Sequence, residues 1–207
     1  MNIRTNQFEE IPTTCISDTM EGLNNLDPTI KPLKESYKVA GRAFTVKMPV
    51  GDNLVVLKAI REAKPGDVLV IDAKGDTYRA IAGDFIVGMA QTLGIKGIVV
   101  DGVIRDIEGT KQLNYPVFCK GTTIAASSKA GMGEINIPIS CGGQTIHPGD
   151  MIVGDADGVV VIPQYFEEEA LEQSLEKLNK DINRAEKVSG QREEVIKYLD
   201  HFLLNNK

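Results

Sequence analysis

The spacing of apolar and polar positions divides the chain into three textures. From Pro12 to Cys119, helical and strand patterns alternate. Ile16, Met20 and Leu23 share one face of a helix that opens at Pro12-Thr13-Thr14, where Thr13 or Thr14 is placed to cap it. Asn24 to Pro32 reads as a loop, and Tyr37 to Met48 as a partly alternating strand kinked at Gly41. Asp52 caps a helix carrying Leu54, Leu57 and Ile60. The turn Lys64-Pro65-Gly66-Asp67 feeds a buried strand at Val68 to Ile71, and Asp72 to Arg79 reads as a polar loop. Gly83-Asp84 opens a second helix, which Gly94 stops where a left-handed residue is wanted. Gly97 to Val100 is all apolar, the pattern of a strand covered on both faces. A short helix over Asp106 to Leu113 and a strand over Pro116 to Cys119 complete this part.

From Gly121 to Pro163 the pattern changes to short strands broken by Gly and Pro. Pro148-Gly149-Asp150 before Met151 to Val153 repeats the turn-and-strand solution of Pro65-Gly66-Asp67, and Gly158 to Ile162 is a second doubly buried strand. Beyond Pro163 the chain turns helical and charged. Leu171, Leu175, Leu178 and Ile182 form one narrow stripe, and Val195, Leu199, Phe202 and Leu203 a second. Such stripes pack on their own domain or on another subunit. The pattern predicts an α/β layered domain over residues 1–163 and a C-terminal helical extension over 164–207, part of the same domain or of a subunit interface.

Composition narrows the function classes. A chain of 207 residues is long enough for one sizeable core. Its net charge of -6 argues against a nucleic-acid footprint, which needs clustered Lys and Arg. No apolar run approaches the roughly 20 residues needed to cross a bilayer. The opening residues MNIRTNQFEEIP do not read as a signal peptide. Cys15, Cys119 and Cys141 are isolated and read as reduced, packed thiols of a cytoplasmic protein. The two histidines, His147 and His201, have no metal-ligand spacing, and there is no Walker loop, G-x-S-x-G elbow or G-x-G-x-x-G.

Candidate chemistry concentrates between Gly83 and Asp106. A helix start, a buried strand and an adjacent Arg105-Asp106 pair beyond the strand's carboxyl end form one unit, and ligands of open α/β sheets bind at that end. Spacing alone reads Asp106 as a helix N-cap, Arg105 as a surface ion-pair partner and Asp84 as a carboxylate favouring its helix's positive end. Asp101-Gly102 reads as a turn, with a role for Asp101 in steadying Arg105 as the lesser alternative. Lys120, before Gly-Thr-Thr, reads as solvated rather than as a Schiff-base lysine.

Asp84, twenty intervening residues and Arg105-Asp106 match the D-x20-R-D signature of class II pyruvate aldolases of the 4-hydroxy-4-methyl-2-oxoglutarate aldolase type, a family that includes the regulators of ribonuclease activity A. The flanks Gly51-Asp52-Asn53, Pro65-Gly66-Asp67 and Asp157 to Pro163 agree, so the chain resembles this family from about Thr13 to Pro163. The resemblance implies a swivelling β/β/α-type domain assembled as a homotrimer or homohexamer. It implies Mg²⁺ or Mn²⁺ on Asp106 through few protein bonds and several waters. Arg105 would grip the substrate, Asp84 would hold a proton-delivering water, and the amides of Gly83, Asp84, Phe85 and Ile86 would hold the substrate carboxylate. A carboxylate from a neighbour's C-terminal helix, with Asp181 the nearest candidate and Glu176 behind it, would help hold the metal waters. The implied reaction cleaves a 4-hydroxy-2-oxo acid to pyruvate and decarboxylates oxaloacetate. The alternative is a non-catalytic regulator whose acidic surface binds a ribonuclease or other protein; the tail beyond Pro163 favours the enzyme branch.

Overall fold

A computed structural model describes residues 3–205. Helices α1 (Ile3–Glu10) and α2 (Thr13–Thr19) precede strands β1 (Lys31–Pro32) and β2 (Val39–Lys47). Then come α3 (Leu54–Glu62), β3 (Asp67–Ala80), α4 (Asp84–Thr92), β4 (Gly97–Ile104), α5 (Ile107–Gln112) and β5 (Val117–Cys119). Five short strands follow: β6 (Gly121–Thr122), β7 (Ala125–Ala126), β8 (Glu134–Ile135), β9 (Ile139–Cys141) and β10 (Gln144–Ile146). The hairpin β11 (Met151–Asp155) and β12 (Gly158–Ile162) leads into α6 (Glu167–Val188) and α7 (Arg192–Asn205).

Strands β2 to β5 are parallel in the order β5-β4-β3-β2, with β11 and β12 antiparallel beyond β2 and β1 antiparallel on β5. One segment joins the two outer edges. Leu26 donates its N–H to Val159 O (2.9 Å), Val161 donates to Asn24 O (3.0 Å), and the same chain then becomes β1 on β5. The result is a mixed α/β fold around a nearly closed, barrel-like sheet. Strand alternation decides what fills it. Val68, Val70, Val99, Phe118, Ile152, Val159 and Val161 pack inside. Their neighbours Leu69, Ile71, Ile98 and Val100 pack outside, with Val56 and Ile60 of α3 and Val87 and Ala90 of α4. On another face, Met151, Val153, Val160 and Ile162 meet Phe8, Ile16 and Leu171 of α1, α2 and α6. Burying each such side chain stabilises the fold by about 1.5–3 kcal/mol.

Several expectations are corrected. Asp72 to Arg79 belongs to β3, whose pairing with β4 is interrupted between Ile71 and Asp76 by a bulge at Lys74 and Gly75, both with positive φ. Neither Thr13 nor Thr14 caps α2: Pro12 occupies the N-cap position, and the Thr13 amide and hydroxyl bind Asp155 instead, at 2.8 and 2.6 Å. Asn53, not Asp52, sits at the N-cap of α3, although Asp52 does accept the Leu54 amide (3.1 Å). The tail's first stripe divides. Leu171 is buried against the chain's own α2 and Leu178 packs at its edge, whereas Ile182 and most of the α7 stripe face outward.

Lys120 is not solvated. Its ammonium lies 2.6 Å from Asp101 and 3.1 Å from Asp27, at the seam where the closing segment meets β4 and β5. Asp101 also accepts the Gly142 amide (3.1 Å), so it serves the seam and not Arg105. Burial works against the Lys120 charge, but the two carboxylates outweigh it and raise its pKa. The Thr29 amide and hydroxyl, then Lys120, hold the Asp27 carboxyl down to about 2. Asp27 is therefore depressed in the fold: its contribution is present above the ordinary aspartate range and is lost as pH falls through about 2. Lys120→Met should cost about 1–3 kcal/mol, because it takes the cation from Asp101 and Asp27 and leaves them only their backbone and Thr29 hydrogen bonds. Urea unfolding at pH 7 measures the loss, and it should shrink as the pH approaches 2; an undiminished midpoint at pH 7 would show that the seam needs no ion pair.

Candidate active site

The unit from Gly83 to Asp106 is built at the carboxyl end of the parallel strands. Three consecutive carbonyls fix the approach to α4. Ala80 O accepts from Ser127 Oγ (2.8 Å), Ile81 O from Asn53 Nδ2 (2.8 Å) and Ala82 O from the Arg105 amide (2.9 Å). The chain then reaches Gly83, the N-cap of α4, with Val87 N–H on its carbonyl at 3.0 Å.

Arg105 and Asp106 follow β4 directly. Asp106 adopts the left-handed conformation (φ 54, ψ 46) at the N-cap position of α5, a backbone state tolerated mainly by Asp, Asn and Gly. Its side chain makes no capping bond. The carboxylate turns back to Gly83, where any Cβ would overlap Asp106 Oδ2, and lies 3.2 Å from Arg105 Nε. Spacing favoured the cap. The structure gives Asp106 the cap position but frees its carboxylate for other work.

Asp84 occupies the first turn of α4. One carboxylate oxygen accepts the Phe85 amide at 2.7 Å, and the other lies against Gly109 so closely that a Cβ at 109 would overlap it. Asp84, Arg105 and Asp106 thus converge on the two helix starts. Of the four amides expected to face a ligand, the Phe85 N–H is engaged by Asp84. A substrate carboxylate taking that amide would have to displace the Asp84 oxygen.

The site is open. Arg105 and Asp106 side chains are 43% and 46% exposed. An apolar groove of about 1130 Å³ between α3, α4 and α5 begins at Asp84, Phe85 and Gly109, but neither Arg105 nor Asp106 lines it. Phe85, Tyr78, Ile124 and Met132 are exposed large apolar side chains. Asp181 lies on α6, in ion pairs with Lys177 (3.2 Å) and Arg184 (2.7 Å), and Glu176 pairs with Lys180 (2.6 Å). Within one chain, both carboxylates are engaged with cations of their own helix. Cys15, Cys119 and Cys141 are buried, and burial raises each thiol's pKa, the opposite of an activated nucleophile.

Asn53 is the positioning residue that sequence reading did not single out. It stood only within the Gly51-Asp52-Asn53 flank. Its bond to Ile81 is a long-range contact that no local pattern announces.

The family model described as RraA-like, Aldolase/RraA, matches residues 13–161. The chain belongs to this RraA-like aldolase family. A Halalkalibacterium halodurans protein whose name proposes a 4-hydroxy-4-methyl-2-oxoglutarate aldolase is 59% identical over 197 residues, covering 95% of this chain and 94% of its own. A Thermus thermophilus protein named 4-hydroxy-4-methyl-2-oxoglutarate aldolase is 30% identical over 155 residues, covering 75% and 94%. Among solved structures, Streptomyces coelicolor RraAS2, described as an unusual member of the RNase ES inhibitor RraA family, superposes with a TM-score of 0.80 at 28% identity, covering 90% of this chain and 98% of that one.

Proposed function

We propose that this RraA-like protein is a divalent-metal-dependent aldolase, a lyase that cleaves a 4-hydroxy-2-oxo acid to pyruvate and an oxo compound and that also decarboxylates oxaloacetate. The observation that carries the reading is the Arg105-Asp106 pair: a guanidinium and an uncapped carboxylate side by side beyond β4, against a bare glycine at a helix start.

The residues fit a metal of the Mg²⁺ or Mn²⁺ kind. Asp106 offers a carboxylate not spent on α5, and the missing Cβ of Gly83 leaves the room beside it. Among the described residues, no group of three or more His, Cys, Asp or Glu gathers as a metal cage. One direct carboxylate with retained waters suits Mg²⁺, which dehydrates reluctantly. Bound there, the ion supplies Lewis-acid polarisation of a 2-oxo group.

The chain's own groups do the rest. The Arg105 fork binds the oxo acid and stabilises the negative charge that grows as the carbon–carbon bond breaks. The free amides at the start of α4 favour the substrate carboxylate. Asp84 holds the water that takes the C4 hydroxyl proton as the carbon–carbon bond breaks and returns a proton to the enolate carbon, yielding pyruvate. Oxaloacetate loses CO₂ to the same enolate, so one site serves both reactions.

Assembly in threes belongs to the proposal. A half-exposed catalytic pair gains from a neighbour that excludes water, and exposed Phe85, beside Asp84 at the start of α4, offers an apolar contact. Asp181, the proposed neighbour carboxylate, would exchange its ion pairs within α6 for a place beside the next subunit's site.

The RraA-type inhibitor among the structural neighbours, with the net charge of -6, favours a second reading as a regulator binding a basic protein surface. Pyruvate release from oxaloacetate decides between them. The aldolase reading expects turnover that EDTA abolishes and Mg²⁺ restores; a regulator gives no metal-dependent turnover.

A further inference from the structure

We infer that Lys120 is a positioning residue for the Arg105-Asp106 pair: its ammonium clamps the root of β6, and β6 holds the end of β4 from which the pair emerges. The inference rests on the proposed function only for what the pair does. The two flanks of β4 differ. Toward β3 the pairing is broken: Ile71 pairs with Val100, Asp76 with Gly102 and Ala80 with Val103, with register shifts between them. On the other flank, support continues to the last residue of the strand. Lys120 donates its N–H to Gly102 O (2.8 Å), Gly121 and Thr122 pair with Val103 and Ile104, and Thr123 donates to Ile104 O (2.9 Å). Arg105 is the next residue. Its amide reaches Ala82 O (2.9 Å), and Asp106 then turns left-handed.

Little in β6 itself keeps it in place. It is two residues long, short even for an edge strand. Gly121 has no side chain and takes φ +151, and Thr122 is exposed. The residue at its root supplies the hold. The Lys120 ammonium lies 2.6 Å from Asp101 on β4 and 3.1 Å from Asp27 on the closing segment. Among the described residues, the ammonium is the only partner of Asp101 Oδ1. Gly75, in the β3 bulge, stands over the contact: a Cβ there would lie 3.6 Å from Lys120 Nζ and 3.9 Å from Asp101 Oδ1. Hydrogen bonds between charged groups are about twice as strong as neutral ones. One cation therefore joins β4, the closing segment and the start of β6. Asp101 does not itself meet Arg105; the connection runs through the β6 backbone.

Amide hydrogen exchange read by NMR, and Mn²⁺ binding read by electron paramagnetic resonance, test this on the full chain without turnover. Lys120→Met should speed exchange of the Thr123 and Arg105 amides about tenfold or more beyond any change in β11. It should also weaken Mn²⁺ binding about 10–100-fold, the usual effect of losing a group that orients a metal ligand. Lys120→Arg keeps a cation and should recover much of both. Val159→Ala loosens the seam beside Leu26 but leaves the clamp intact, so it should speed exchange in β11 and β12 and leave Mn²⁺ binding within about twofold. Asp27→Asn removes one of the two charges and should move the same two amides by less; it carries the test if Lys120→Met does not fold. Wild-type exchange at Thr123 and Arg105 in Lys120→Met, or changes that match those of Val159→Ala, overturn the inference. A wild type that binds no Mn²⁺ sinks the metal-dependent reading instead, and the exchange comparison alone then decides the role of Lys120.

Discussion

Arg105→Lys is expected to lower pyruvate release by on the order of 10²–10³, the usual cost of losing one charge-stabilising contact in a transition state. The substitution keeps the positive charge, so the loss isolates geometry. Arg105 Nε is turned to Asp106 at 3.2 Å, while its backbone amide is fixed on Ala82 O. The outer nitrogens of the fork are left to meet the substrate's oxygens in a plane. A lysine ammonium is a compact point charge and cannot reproduce that two-pronged contact. If the fork grips both substrate and enolate, kcat and KM should both worsen, and added Mg²⁺ should not repair them. The fold should persist, because the side chain is half-exposed and contributes no core packing. Steady-state kinetics over a Mg²⁺ titration, with circular dichroism as control, measures this; a wild-type rate would place the chemistry elsewhere.

The strands covered on both faces were legible because burial on two sides removes polar positions altogether. Gly97 to Val100 and Gly158 to Ile162 could be nothing else. The helix start at Asp84 and the Arg105-Asp106 pair were legible for a different reason: their spacing is written in the chain and carries a family resemblance. What could not be read was the set of contacts created by closing the sheet. Lys120 stands before a polar Gly-Thr-Thr and looks solvated in one dimension. It becomes partnered only because residues 24–32 bridge the two sheet edges and bring Asp27 to it. Asp72 to Arg79 looks like a loop because its polar residues sit on a bulged strand extension whose side chains largely face water. Asn53 escaped notice for the same reason as Lys120. Its partner, Ile81, lies far along the chain, and the bond is made to a backbone carbonyl, which leaves no pattern in side-chain types.

The bare glycine at position 83 gives the sharpest test of where the Asp106 carboxylate must lie. Gly83 has φ -125 and ψ -175, extended backbone that any residue adopts, so alanine there carries no conformational penalty. The added Cβ would instead overlap Asp106 Oδ2 and stand 3.2 Å from its Cγ and 3.3 Å from Arg105 Cγ. Gly83→Ala should therefore fold with a near-wild-type melting temperature but push the carboxylate aside. A misplaced ligand typically costs about 10–100-fold in metal affinity or activity. Because the carboxylate is moved and not removed, high Mg²⁺ should restore much of the rate. Asp106→Ala removes it, so activity should fall further and added Mg²⁺ should restore only part. The Mg²⁺ concentration for half-maximal pyruvate release should thus rise from wild type to Gly83→Ala to Asp106→Ala. Gly109→Ala provides the contrast: its Cβ would overlap the Asp84 carboxylate, so it should slow the proton-delivery step without changing the Mg²⁺ requirement. If Gly83→Ala and Gly109→Ala shift the Mg²⁺ requirement alike, Asp106 has no privileged relation to the metal, and the division of labour between the two carboxylates is wrong.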